Sequence, residues 1–264
     1  MRRAFPTEFV FQVFALLIAF ILVHALYVAL IRPQADAFLR QEAAQMRADP
    51  DYVQQRSFYV VLKDYEQESC LVLMLWALAI LGYKGVATYR QQQLLDRDLL
   101  QLPDGLPIGP EDTRELAARV QSLPPRQREY LLPRALLTAI ERFAATRNVQ
   151  DVSTAARDLC GSEGERLESE LSTIRYIAWA IPSVGFIGTV RGIGNALGQA
   201  HRAVEGDITG VTENLGVAFN STFIALVISI VLMFFVHQLQ SMQERLVLDT
   251  ERYVDRGFVR RLKG

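Results

Sequence analysis

Residues 173–198 read TIRYIAWAIPSVGFIGTVRGIGNALG, and residues 214–236 read NLGVAFNSTFIALVISIVLMFFV. These two apolar segments decide the fold. The first carries Gly, Ser and Thr at close spacing, and the second carries Asn220, Ser221, Thr222 and Ser229 inside an apolar run. Hydroxyl groups at membrane depth cost free energy unless they face protein or water. The pair therefore predicts two membrane helices of a bundle or a pore.

Working outward, residues 9–31 hold no Asp, Glu, Lys or Arg. A spanning helix needs about 20 such residues. The run is too long for a signal peptide, and no small-x-small cleavage site follows before Arg32-Pro33. Residues 70–83 are apolar, and the following Lys84 can snorkel while 85–89 extend the helix. This predicts an all-α integral membrane protein with four transmembrane helices, the last two long and extending into the cytoplasm.

The predicted organisation is a tail and first span (1–31), an extracytoplasmic helical segment (32–69), a second span (70–89) and a cytoplasmic helical domain (90–172). A third span (173–198), a short turn (199–213), a fourth span (214–236) and a helical tail (237–264) follow. Within 32–69, Asp49-Pro50-Asp51 breaks a helix over 35–48. Within 90–172, Pro103, Gly105, Pro107, Gly109 and Pro110 make a loop. A helix over 111–123 ends at Pro124-Pro125, and another over 126–146 is kinked by Pro133. Asp151 caps a short helix to Cys160, and Ser162 with Glu165 form a capping box that starts the helix entering the membrane.

The turn at 199–213 is net acidic, with Glu205, Asp207 and Glu213 against Arg202. The tail carries Arg245, Arg252, Arg256, Arg260, Arg261 and Lys263. Both place the termini in the cytoplasm and the turn outside. With 28 Lys+Arg against 29 Asp+Glu, the chain lacks the basic excess of a nucleic-acid binder. The two cysteines, Cys70 and Cys160, fall on opposite sides in this topology, so no disulfide is expected, and no Cys/His cluster has metal spacing.

In the third span Gly185, Gly188 and Gly192 let a neighbouring backbone approach closely, and Gly188-x-x-x-Gly192 is a small-xxx-small pair. Pro182 is tolerated where a neighbour satisfies the freed carbonyl. Thr189 and Arg191 lie about 200° apart round the helix. Arg191 sits near the outer end, within expected reach of Glu205 or Asp207. In the fourth span Ala218, Thr222 and Ser229 form one stripe, flanked by Ser221. A helix lining a narrow pore shows such a stripe, and so does one packed in a bundle. The residues alone leave both open. His24 inside the first span reads either as a proton relay or as a neutral imidazole bonded to a neighbouring helix.

No G-x-S-x-G, H-E-x-x-H or P-loop occurs, and His24, His201 and His237 have no nucleophile placed beside them. No catalytic residue and no cofactor is expected.

The run 180–193, AIPSVGFIGTVRGI, resembles the P-x-x-G-x-x-G-T-V-x-G-I signature of the MotA/TolQ/ExbB proton channel family. The run 215–226, LGVAFNSTFIAL, is similar to that family's last-helix pattern. The resemblance implies a ring of five copies in the bacterial inner membrane. Two copies of a single-span partner of the MotB/TolR/ExbD type would sit inside it, with an Asp that carries a proton or sodium ion. It further implies that Thr189 and Thr222 line the ion pathway, and that ion flow drives mechanical work. Val217 stands where the ExbB/TolQ branch usually has a Glu, and Arg191 is unusual inside the signature. A membrane scaffold without ion flux is the alternative.

Overall fold

The structure is a computed structural model and describes residues 7–48, 52, 55, 57–101 and 107–263. The basic Met1-Arg2-Arg3, the breaker at Asp49-Pro50-Asp51, and Pro103 and Gly105 of the expected loop lie outside the described residues. The chain runs α1 (Thr7–Leu26), a π turn (Tyr27–Ile31), α2 (Arg32–Ala48), α3 (Phe58–Leu62) and α4 (Tyr65–Leu95). A 3-10 turn (Pro110–Asp112), α5 (Thr113–Gln121), α6 (Pro125–Arg128), α7 (Leu131–Thr146) and α8 (Val149–Glu170) follow. Then come α9 (Ser172–Gly198), α10 (Ala200–Val204), α11 (Thr209–Gly257) and a last 3-10 turn (Val259–Arg261). No strand is present among the described residues. Among the described residues, four helical stretches are long and apolar enough to cross a membrane: Glu8–Ala48, Tyr65–Leu95, Val149–Gly198 and Thr209–Arg261. The expected all-α, four-span class is thus observed.

The chain divides into two compact units, one of Met1–Leu81 with Thr173–Val236, the other of Gly82–Ser172 with His237–Gly264. In the first unit, the helix of the expected first span (1–31) continues past Arg32-Pro33. Pro33 has no N–H to give the preceding turn. The π turn just before it widens the backbone, with the Arg32 N–H bonding the Tyr27 carbonyl, and so carries α1 into α2 without a break. Tyr27, Ile31 and Val23 pack there against Leu62 and Val72. The Trp76 indole donates to the Gln12 carbonyl at 2.9 Å, joining α4 to α1. The Cys70 thiol points at the Ile181 carbonyl at 3.6 Å, joining α4 to α9.

In the second unit, α5, α7, α8 and the end of α11 share a core that includes Leu132, Leu136, Ile140, Phe143, Val152, Cys160 and Phe258. Three expectations are corrected here. Pro133 does not kink a long helix. The chain leaves helical geometry at Tyr130 (φ −68°, ψ 157°), and Pro133 falls in the first turn of α7, where its missing N–H leaves nothing unsatisfied. Ser162 and Glu165 form no capping box, because α8 runs through both. Its cap is Asn148, whose side chain accepts the Gln150 N–H at 2.9 Å. The buried stripe Val152, Ala156, Cys160, Glu163 and Leu167 holds the helix across Gly161 and Gly164 against their weak propensity. Lys84 does not snorkel; it is buried and bonds Glu170 at 2.8 Å.

Phe143 is fully buried and meets Phe258 edge to face at 6.4 Å. Phe143→Ala is expected to destabilise this unit by about 3–5 kcal/mol. Faster limited proteolysis within 107–172 is the check, and an unchanged digestion rate would refute the assignment of Phe143 to the core.

Candidate functional site

α9 and α11 meet along a seam of small residues. On α9 the buried stripe is Ile177, Ile181, Gly185, Gly188, Gly192 and Ala196. On α11 it is Ala218, Ser221, Ala225, Ile228, Leu232 and Val236. A Cβ on Gly188 would lie 2.5 Å from that of Ser221, and one on Gly192 would lie 2.8 Å from that of Ala218. A Cβ on Gly185 would collide with that of Ala225. Glycine is required at all three, because the backbones are too close for any side chain.

Close approach lets short hydroxyl side chains reach across. Thr189 Oγ1 lies 2.5 Å from Thr222 Oγ1 and 3.0 Å from the Ala218 carbonyl. Thr222 Oγ1 donates to the Gly185 carbonyl at 3.1 Å. The two hydroxyls, Gly185 and Ala218 therefore form one cluster in the seam, with both threonines partly exposed. Each hydroxyl has one proton and two acceptor positions. With Thr222 giving its proton to Gly185 and Thr189 giving its own to Ala218 or Thr222, acceptor positions remain open on both.

The other residues singled out from the sequence fall on either side of this cluster. Ser221 is buried against Gly188 and bonds back to the Val217 carbonyl at 2.8 Å. Pro182 and Ser229 share one arrangement. Pro182 lacks the N–H that would bond the Ala178 carbonyl four residues earlier. The Ser229 hydroxyl supplies that donor from α11 at 3.0 Å. A carbonyl freed at membrane depth is thereby satisfied by the neighbouring helix.

Arg191 does not reach the turn. It lies seven residues before the end of α9, about 10 Å along the axis. It pairs instead with Glu66, in the first turn of α4, at 2.7 Å and lies 3.6 Å from Asp64, just before that helix. Glu66 also packs against Gly188. His24 bonds a neighbouring helix, its Nδ1 lying 2.7 Å from Glu68 Oε1. Arg32 holds the other Glu68 oxygen. Sequence reasoning misses this acidic group at 64–68 because the apolar run begins only at Cys70. Helix α4 starts at Tyr65 and brings Glu66 and Glu68 into the bundle, where Glu68 is buried.

These features define a multi-pass helical membrane protein with a close-packed, hydroxyl-bridged helix pair. Residues 127–252 match the model of the MotA/TolQ/ExbB proton channel family, and the resemblance carried by the two apolar segments holds over that stretch. The match takes in α7 to α10 and most of α11, with both threonines. No curated protein matches the chain.

Proposed function

We propose that the chain is the multi-pass subunit of an ion-driven motor in a bacterial inner membrane, with both termini in the cytoplasm. Five copies form a ring around two copies of a single-span MotB/TolR/ExbD-like protein, whose buried Asp carries a proton or sodium ion past Thr189 and Thr222. Ion flow becomes mechanical work. The observation that carries this reading is the Thr189–Thr222 pair, lying in the α9–α11 seam inside the family-matched stretch. Ser229 and Pro182 border the same pathway, Ala218 and Ser221 back it from the buried seam, and Gly185, Gly188 and Gly192 hold the two helices together behind it.

The chemistry is coherent. A carboxyl group in low dielectric holds its proton more tightly than in water. Threonine hydroxyls accept from the protonated form and donate to the ionised form. A ring offering both can pass a carboxyl through its two states without titrating itself.

One observation favours a second reading, a membrane scaffold without ion flux. Thr189, Thr222 and Ser229 all bond backbone carbonyls across the seam, which is also how hydroxyls tie membrane helices together. Native mass spectrometry of the purified complex, with and without a co-expressed single-span partner, separates the two. Five copies that take up two partner chains are expected. A monomer, a dimer or an even-numbered ring that takes up no partner would overturn the motor reading.

A further inference from the structure

Three buried side-chain oxygens have no hydrogen-bond partner among the described residues: Tyr27 Oη, Asp64 Oδ2 and Gln67 Oε1. Tyr27 and Gln67 are both 0% exposed. Each such atom costs about 1–3 kcal/mol. The three belong to one neighbourhood. Asp64 lies just before α4 and Gln67 in its first turn, and Tyr27 packs by Leu62 within electrostatic reach of Asp64 and Glu68.

The charges there are unequally shared. Asp64, Glu66 and Glu68 face the two guanidinium groups of Arg32 and Arg191. Arg32 is committed to Glu68, and Arg191 sits closer to Glu66 than to Asp64. His24 also contacts Glu68, its Nδ1 lying 2.7 Å from Oε1. Asp64 is the carboxylate with the longest ion pair of the three, 3.6 Å to Arg191, with Lys63 also acting on it. Burial pushes its carboxyl above the ordinary aspartate value, against Lys63 and Arg191, which hold it down, while Glu66 adds to the rise.

Asp64 is also within reach of water. It lines a cavity of about 820 Å³ together with Lys63, Arg191, Asn214, Val217 and Asn220. Beyond the groups already named, Glu42 and Arg47 face this cavity from α2 and Glu213 faces it from α11. Glu42 is occupied by the Tyr52 hydroxyl at 2.6 Å and the Gln55 N–H at 3.1 Å. No three His, Cys, Asp or Glu side chains among the described residues converge to hold a metal ion.

We propose that this cavity is an aqueous vestibule and that Asp64 is its proton-holding group, exchanging one proton with water in the cavity. A hydronium ion gives its proton to Asp64 and leaves as water. The proton settles on the carboxyl whose Oδ2 has no partner among the described residues, and cavity water can accept from the new O–H. Protonation leaves Arg191 to Glu66 alone. Arg191 lies two residues from Thr189, and Glu66 touches Gly188, so the charge on Asp64 acts on the helix that carries Thr189. The purpose of this site rests on the channel reading; its chemistry does not.

The test is infrared pH-difference spectroscopy on the full-length protein in liposomes, without partner and without flux. A protonated-carboxyl C=O signal is expected to titrate above the free aspartate value. It should vanish in Asp64→Asn and persist in Glu68→Gln. Arg191→Gln removes a charge that favours ionisation, so the midpoint should rise by about one pH unit. A signal that survives in Asp64→Asn, or a midpoint unmoved in Arg191→Gln, overturns the proposal. The second variant decides if the first fails to fold. A chain that conducts no ions yet shows this titration overturns the channel reading and leaves the Asp64 site standing.

Discussion

Thr222→Val is expected to abolish ion flux while the protein stays folded and assembled, and Thr189→Val is expected to do the same. Valine keeps the shape and removes only the hydroxyl. The Gly185 carbonyl that loses the Thr222 donor still accepts its own intrahelical bond, so no backbone group is left wholly unsatisfied. The lost hydrogen bond is worth about 0.5–1.5 kcal/mol, small beside the packing of the seam. The loss of an acceptor for a carboxyl proton has no such substitute. Thr222→Ser, which keeps the hydroxyl, should retain most of the flux. The two hydroxyls lie 2.5 Å apart, so the double variant should cost less stability than the two single changes added together. Flux into proteoliposomes carrying the complex, read beside its thermal midpoint, is the measurement. Full flux with valine at both positions would leave the threonines as ties between helices and favour the scaffold.

How far this site can be read from the chain differs from residue to residue. The spans are legible because an uncharged run such as 9–31 has few alternatives at its length. The glycines of the seam are legible because Gly185, Gly188 and Gly192 repeat at helical spacing. Their partners are not legible, since Ser221, Ala225 and Ala218 face them only in one register of α11. The same holds for Ser229, whose role appears once it is seen to serve the carbonyl that Pro182 frees. Arg191 reads as a partner for acids near it in sequence, whereas its counterion Glu66 comes from 125 residues away. Local signals also fail where packing outweighs them. The pattern Ser162-x-x-Glu165 marks a helix start in isolation, but the buried face of α8 runs straight through it. Pro33 marks a helix end in isolation, but the π turn before it absorbs the defect. Asp64 does not stand out in the chain because its importance lies in what it lacks, a short ion pair and a partner for Oδ2, and neither is a property of sequence.

Gly188→Leu is expected to break the seam itself, with loss of both assembly and flux. Even the first carbon of a side chain at Gly188 would meet the Ser221 Cβ at 2.5 Å, its Oγ at 2.6 Å and the Glu66 Cγ at 3.1 Å. At Gly192 it would meet the Asn214 carbonyl at 2.7 Å and the Ala218 backbone nitrogen at 2.8 Å. Backbone atoms cannot swing aside, so the helices must separate. Overpacking costs about 1–3 kcal/mol where neighbours can adjust, and leucine at either position should cost at least that. Separation also pulls Thr189 from Thr222 and Ala218, because the bonds joining them span the same gap. Gly194 is the control. It lies on the same helix, and a Cβ added there would have nothing within 4 Å, so Gly194→Ala should leave the protein intact or stabilise it by about 0.5–1 kcal/mol through reduced chain entropy. Thermal midpoints and gel-filtration profiles of the three variants decide the matter. Equal behaviour of Gly188→Leu and Gly194→Ala would mean that α9 and α11 do not pack through these glycines in the membrane. The glycine variants cannot by themselves tell a motor from a scaffold, since both need the seam. Set beside the valine variants they can, because only a channel loses its work when the helices stay together and the hydroxyls go.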